Sequence, residues 1–256
     1  MKRLLTILPL LSLLVTSCYQ EPFADAIITP NPAWVGEDIT FDNLSHNTDY
    51  VEWNMGDGSS SSAFNVVHYY KDPGTYDVTL SAYGKKGGVN VASFAVDVEG
   101  SELEIIVKEY WDEYLIEGAS VVLFSSLDDW MEGDWENKGV AEQLTDMYGE
   151  CHFSGLSYQR YYVDVVYRVG NDGYHNWFLG EEDVYFIETQ LLEGGYDYTF
   201  VAYVDVVEFL EKKSTSQSSV RPALRPPLKD LGSQLKSATG KRPLKENKFS
   251  VKKERK

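Results

Sequence analysis

An all-β chain of two sandwich domains in tandem is what this 256-residue sequence predicts, and three observations carry the prediction. Short runs alternate apolar and polar residues with a period of two, the period of a strand with one buried face. Turn signals such as Asp57-Gly58, Asp72-Pro73-Gly74 and Gly87-Gly88 punctuate those runs. The composition is 43% hydrophobic and 14% aromatic, with 18 tyrosines, which favours strands over helices. The length gives room for two domains of about 100 residues each plus extensions.

Residues 1–17 stand apart from the cores. Lys2 and Arg3 form a positive start, residues 4–15 are apolar, and Val15-Thr16-Ser17 leads with small residues to Cys18. The apolar run is too short to cross a hydrocarbon core of about 30 Å as a permanent span. This ending resembles the lipobox of bacterial lipoproteins, in which a cysteine thiol is acylated and becomes the first mature residue. The resemblance implies a signal peptide over 1–17, lipidation at Cys18, a tether over 18–23 and anchorage in the cell envelope. Tyr19 in place of an aspartate points by the same resemblance to the outer membrane. An ordinary secretory signal with an incidental Cys18 is the alternative. With Cys18 lipidated, Cys151 has no partner for a disulfide, and its alternation with Phe153 predicts a buried, inert thiol.

Charge divides the chain. Residues 19–211 carry 37 acidic and 7 basic side chains, whereas residues 212–256 carry 14 basic and 3 acidic ones. An acidic body lacks the basic footprint that nucleic acid requires.

The first domain is expected over residues 24–99. Strand signals begin at Ile27-Ile28 and continue with Ile39-Thr40-Phe41-Asp42, Val51 and Trp53, then Val67 and Tyr69, then Tyr76, Val78 and Leu80, with a closing strand over 89–98. Residues 54–58 read Asn-Met-Gly-Asp-Gly, a tight turn in which Asp57 accepts local N–H groups and Gly58 tolerates positive φ. The sequence Trp53-x-x-Gly56-Asp57-Gly58, then His68-x-Tyr70, then Pro73-Gly74-Thr75-Tyr76-x-Val78-x-Leu80 resembles the polycystic-kidney-disease (PKD) domain. That resemblance implies an immunoglobulin-like sandwich with Trp53 between its sheets, and a binding role rather than catalysis. Tyr76 is placed to form a tyrosine-corner hydrogen bond. His68 is expected to be structural, and a loop calcium site among Asp42, Asp49, Asp57 and Asp72 lacks a dedicated spacing.

Residues 102–209 form the second expected domain, after a minimal linker at Glu99-Gly100-Ser101. Here Gly118-Ala119-x-Val121-x-Leu123, then Thr145-Asp146-x-x-Gly149-x-x-x-Phe153-x-Gly155-Leu156, then Tyr161-Tyr162-Val163-Asp164-Val165 resembles carboxypeptidase-regulatory-like, or transthyretin-like, sandwiches. Gly149 is expected to turn a hairpin, and residues 198–206 to form the last strand. Two inserts, 125–139 and 170–183, read as loops that set aromatics among carboxylates. Trp130, Trp135, Tyr174 and Trp177 are therefore candidates for a ligand surface, because a sugar platform needs ring faces beside hydrogen-bonding groups. The competing reading has these rings capping the sandwich and burying their own area.

Residues 210–256 are rich in Lys, Arg, Ser and Pro and are expected to be a disordered basic tail. Its charge suits anionic headgroups or the acidic body of another copy. No nucleophile–base pair, phosphate loop or metal cluster is visible, so no catalytic residue, metal or cofactor is assigned. The function expected is a non-enzymatic, lipid-anchored binding or adhesion module contacting carbohydrate or protein. A structural or assembly subunit of an envelope complex is the alternative, and a hydrolase built on the acidic loops is third.

Overall fold

The structure is a computed structural model and describes residues 20–110, 112–132, 135–169, 172–175, 187–208 and 249–252. The first sandwich has one layer of three strands, β1 (Ala26–Thr29), β3 (Ile39–Asn43) and β6 (Val66–His68), in the order β1-β3-β6. The facing layer contains β2 (Ala33–Trp34), β4 (Thr48–Asn54), β5 (Ser60–Ser61), β7 (Gly74–Gly84) and β8 (Val89–Glu99), in the order β2-β8-β7-β4-β5. Alternation sets the faces as expected. Ile39 and Phe41 on β3, Val51 and Trp53 on β4, and Val78, Leu80 and Ala82 on β7 all point inward and are buried.

Trp53 lies between the layers, edge-on to Phe41 at 5.8 Å, and its indole N–H donates to Ala63 O at 3.2 Å. Met55 fills the core below it. One face assignment is corrected: Val67 and Tyr69 are exposed, and Tyr70 takes the core position. The alternation is unbroken but in the opposite phase, with Val66, His68 and Tyr70 inward and Val67 and Tyr69 outward. Tyr70 can be buried because its hydroxyl donates to Met55 O at 2.8 Å.

The second sandwich starts with β9 (Ser101–Glu109), which pairs in parallel with β16 (Asp197–Glu208) and antiparallel with β12 (Glu150–Leu156). The other layer holds β10 (Ser120–Phe124), β11 (Ala141–Leu144), β13 (Tyr162–Val169), β14 (Asp172–His175) and β15 (Ile187–Glu188). Beyond its pairing with β9, β16 runs on to pair with β14 and so belongs to both layers. Between them lie Leu103, Ile105, Val121, Leu123, Phe153, Val163, Val165 and Phe200. Cys151 is buried with them, and desolvation pushes its thiol pKa up to about 12.

Three expectations change. Neither insert is simply a loop: 125–139 contains two short helices, α1 (Leu127–Glu132) and α2 (Trp135–Lys138), and 170–183 contains β14 (Asp172–His175). Gly149 does not close a hairpin of paired strands, because β11 pairs with β10 and β12 pairs with β9. The turn therefore carries the chain from one layer to the other. Finally, the tail is not disordered throughout: β17 (Phe249–Lys252) pairs antiparallel with β16, setting Phe249 opposite Phe200 and Lys252 opposite Asp197. The apolar members of Phe-Ser-Val-Lys fall in register with the core-facing residues Tyr198 and Phe200. The rest of the tail, 210–248 and 253–256, lies outside the described residues.

The two sandwiches meet in a close junction. β8 passes into β9 through Gly100 alone. A Cβ at Gly100 would stand 2.5 Å from the backbone of Gly155, so no side chain fits. The Tyr158 ring covers Gly36, where any Cβ would overlap it, and Tyr158 N–H donates to Lys71 O at 2.7 Å. Gly194 N–H donates to Val35 O at 3.0 Å, with Trp34 packed on Gly194 and Gly195. Gly36, at φ +77°, also needs its missing side chain for the turn itself. Tight packing of this kind couples the domains. Gly100→Val is expected to cost about 1–3 kcal/mol by overpacking. Calorimetry should then resolve two transitions where the native chain shows one.

Candidate functional site

The PKD-like signature gathers a serine, an aspartate and a histidine. Asp57 Oδ1 accepts from Ser59 N at 2.9 Å and from the Ser59 hydroxyl at 2.6 Å, and Asp57 Oδ2 lies 2.8 Å from His68 Nε2. A nucleophilic triad needs the serine hydroxyl to donate to the imidazole. Here both partners bind the carboxylate, so the serine has no base and the arrangement ties the turn to β6. Asn54 Oδ1 accepts from Gly56 N at 3.0 Å, and Met55 N donates to Ser59 O at 3.0 Å. Gly56 is obligatory, since a Cβ there would stand 2.9 Å from Asp77 O. Tyr76 stacks on Tyr70 at 3.9 Å, and its hydroxyl donates to Asp72 O at 2.7 Å, closing the corner at Pro73-Gly74. Trp53, Gly56, Asp57 and Tyr76 are thus engaged in the packing and turns of the sandwich.

The expected aromatic platform is not assembled in the described residues. Trp130 is fully buried, and its indole N–H donates to Val163 O at 3.2 Å. It sits with Val122, Phe124, Leu127 and Tyr162 on the outer side of β10 and β13. The apolar run of β10 is covered on both faces for this reason, and Trp130 cannot stack on a ligand. Ser126 caps α1, accepting from Asp129 N at 3.1 Å while its hydroxyl donates to Asp129 Oδ2 at 2.6 Å. Lys138 reaches Asp129 at 2.9 Å and Glu132 at 2.5 Å, so these carboxylates are occupied. Trp135 begins α2, and Tyr174 lies on β14 opposite Tyr167. Trp177 and Cys18 lie outside the described residues. Among the described residues, no group of three or more His, Cys, Asp or Glu could hold a metal ion.

A different surface emerges at the end of the second sandwich far from the junction. β9 runs from the junction to Glu109, and β12 starts at that far end. Two turns meet there. Glu109 N–H donates to Tyr114 O at 2.9 Å, Ile116 N–H to Val107 O at 3.1 Å, Val107 N–H to Gly149 O at 2.8 Å and Gly118 N–H to Thr145 O at 2.9 Å. Thr145, buried, donates to Ile116 O at 2.6 Å and accepts from Ala119 N at 2.9 Å. Asp146 Oδ1 accepts from Tyr148 N and Glu150 N, and Gly149 adopts φ +69°. On this rigid base five large apolar side chains are exposed: Tyr114, Leu115, Leu144, Met147 and Tyr148, the last three at 65%, 66% and 59%. The β13–β14 hairpin reaches the same end, because Ser120 and Val166 pair there. Large apolar side chains grouped at a fixed tip, among carboxylates, are the composition of a partner surface. Sequence reading placed Met147 and Tyr148 in a turn but attached no role to them. The available signal was two large apolar residues in a turn whose hydrogen bonds need only Asp146 and Gly149.

Residues 19–98, which span the first sandwich, match the family model described as PKD domain. Over 93 residues the chain is 32% identical to collagenase ColA of Clostridium perfringens, a match covering 34% of this chain and 8% of that protein. The PKD1 domain of Vibrio anguillarum Epp is 26% identical, covering 31% of this chain and 94% of that one with a TM-score of 0.27. The PKD1 domain of the Vibrio cholerae metalloprotease PrtV is 21% identical over 31% of this chain and 98% of that one, also with a TM-score of 0.27.

The Asp57 turn gives a pH prediction. Burial alone would raise its pKa, but the Ser59 hydroxyl and N–H and then His68 together hold it below the ordinary carboxylate value. The folded value is therefore below the unfolded one of about 3.9, so the contribution is complete above that pH and is lost as pH falls through the folded value. Asp57→Asn should lower the urea midpoint at pH 7, with the difference from the native chain shrinking toward pH 3.

Proposed function

We propose that this protein is a non-enzymatic, lipid-anchored binding module of the bacterial cell envelope, held at Cys18 in the outer membrane, that engages a protein partner through the tip of its second sandwich. The exposed group Tyr114, Leu115, Leu144, Met147 and Tyr148 carries this reading. The chemistry-bearing groups of the first domain are engaged in its turns, and the junction holds the tip in a fixed relation to the tethered domain. Met and Tyr fit a protein partner, since Met adapts to an apolar surface and Tyr adds area with a polar end. The carboxylates of Asp112, Glu113, Glu117 and Asp146 around the tip favour a partner with a basic rim. Carbohydrate remains the second reading, resting on Tyr114 and Tyr148 as ring faces.

Three experiments test it. Met147→Ser with Tyr148→Ser should weaken capture of a purified envelope partner by at least about tenfold, or about 1.4 kcal/mol, with the melting temperature unchanged. The same double variant on a glycan array decides between the readings: loss of a glycan signal would turn the assignment to carbohydrate. Cys18→Ser should abolish incorporation of a palmitate label and move the protein out of the membrane fraction. Retention with no label in the native chain would overturn anchoring.

A further inference from the structure

The proposed anchor leads to an unassigned surface at the opposite end of the first sandwich. The chain is pinned to the first sandwich from Pro22 onward. Pro22 packs on Gly84, within 3.1 Å of a Cβ built there, Phe23 exchanges backbone hydrogen bonds with His46 at 3.0 Å, and Ala24 N–H donates to Asn90 Oδ1 at 2.9 Å. The β7–β8 hairpin is therefore about four residues from the lipid attachment, a reach of roughly 14 Å at full extension.

The side chains at this end suit a membrane interface. Tyr50, Tyr83 and Val89 form one cross-strand row, and Glu52, Ser81 and Val91 the next. Tyr50 and Tyr83 stack in parallel at 4.4 Å, and the Tyr83 hydroxyl donates to Glu52 at 2.9 Å. Tyr50, Val89 and Val91 are each more than half exposed, as are nearly Phe23 and Leu44. Lys85 and Lys86 lie exposed at the hairpin, two of the seven basic residues between 19 and 211. Tyrosines with an apolar body and wet hydroxyl, backed by lysines, are the groups that settle at headgroup depth. Glu21, Asp25, Asp49 and Glu52 share this end, and their charge opposes entry into hydrocarbon.

We infer that the hairpin end, with Tyr50, Tyr83, Val89, Phe23, Lys85 and Lys86, rests in the headgroup layer of the bilayer that anchors Cys18, holding the tip away from the membrane. The inference rests on the anchoring reading above. The test uses the full lipidated protein with Cys151→Ala, reconstituted in phosphatidylethanolamine–phosphatidylglycerol vesicles. Bimane is attached at Lys86→Cys or, separately, at Met147→Cys, and headgroup-level nitroxide lipid is the quencher. Strong quenching at 86, at least about threefold above that at 147, is expected. It should fall to the level at 147 in the Tyr50→Ser, Tyr83→Ser, Val89→Ser variant, with flotation unchanged. Equal quenching at both sites in a floating protein overturns the inference and leaves anchoring intact. Undiminished quenching in the triple variant also overturns it, because the tether alone then explains the proximity. Failure of the native protein to float defeats anchoring, and the inference with it.

Discussion

Two backbones approach at Gly100 and Gly155 so closely that no Cβ fits between them, and the junction of the two sandwiches forms at that contact. β8 becomes β9 there, so the inner faces of two sheets are set by one continuous stretch of chain. The contact then recruits its surroundings. Tyr158 can lie over Gly36, and Trp34 over Gly194 and Gly195, only once the sandwiches are drawn together. Each of these glycines trades conformational entropy in the unfolded chain for a close approach in the folded one. Two domains with a minimal linker would ordinarily move freely, but here the linker is part of the packing.

Several groups that could do chemistry are consumed structurally among the described residues. Asp57 holds Ser59 and His68, Asp146 caps its own turn, and Asp129 and Glu132 share Lys138. Cys151 is raised out of the reactive range by burial. Among the described residues, exposed apolar and aromatic side chains gather at both ends, which is how a sandwich offers contact without a cleft.

Much of the fold was legible because strands with one wet face declare themselves by alternation, as β3, β4, β7 and β9 do. Trp53 was legible through the PKD resemblance, and Tyr76 and the Asp57 turn through their neighbours in sequence. The misses share a cause: they depend on contacts distant along the chain. Tyr70 displaces Tyr69 from the core because of a hydroxyl partner at Met55. Trp130 turned inward because β10 and β13 needed cover on their outer side, which no local pattern announces. β17 is four residues in a basic tail, too short to stand out until β16 supplies a partner. The tip and the hairpin end were hidden differently: exposed tyrosines and methionines at turns look like spare hydrophobicity until the topology places them together.

That terminal strand has a covalent consequence. β16 and β17 are bonded side by side, yet residues 209–248 separate them in sequence. Hydrogen bonds instead of a crosslink join the two ends of that stretch of sequence. A single peptide cleavage anywhere within it would divide the chain without at once dividing the fold. The fragment carrying Phe249–Lys252 would stay seated by four residue pairs until the edge of β16 frayed, and Tyr198 and Phe200 would then lose their neighbour on that side.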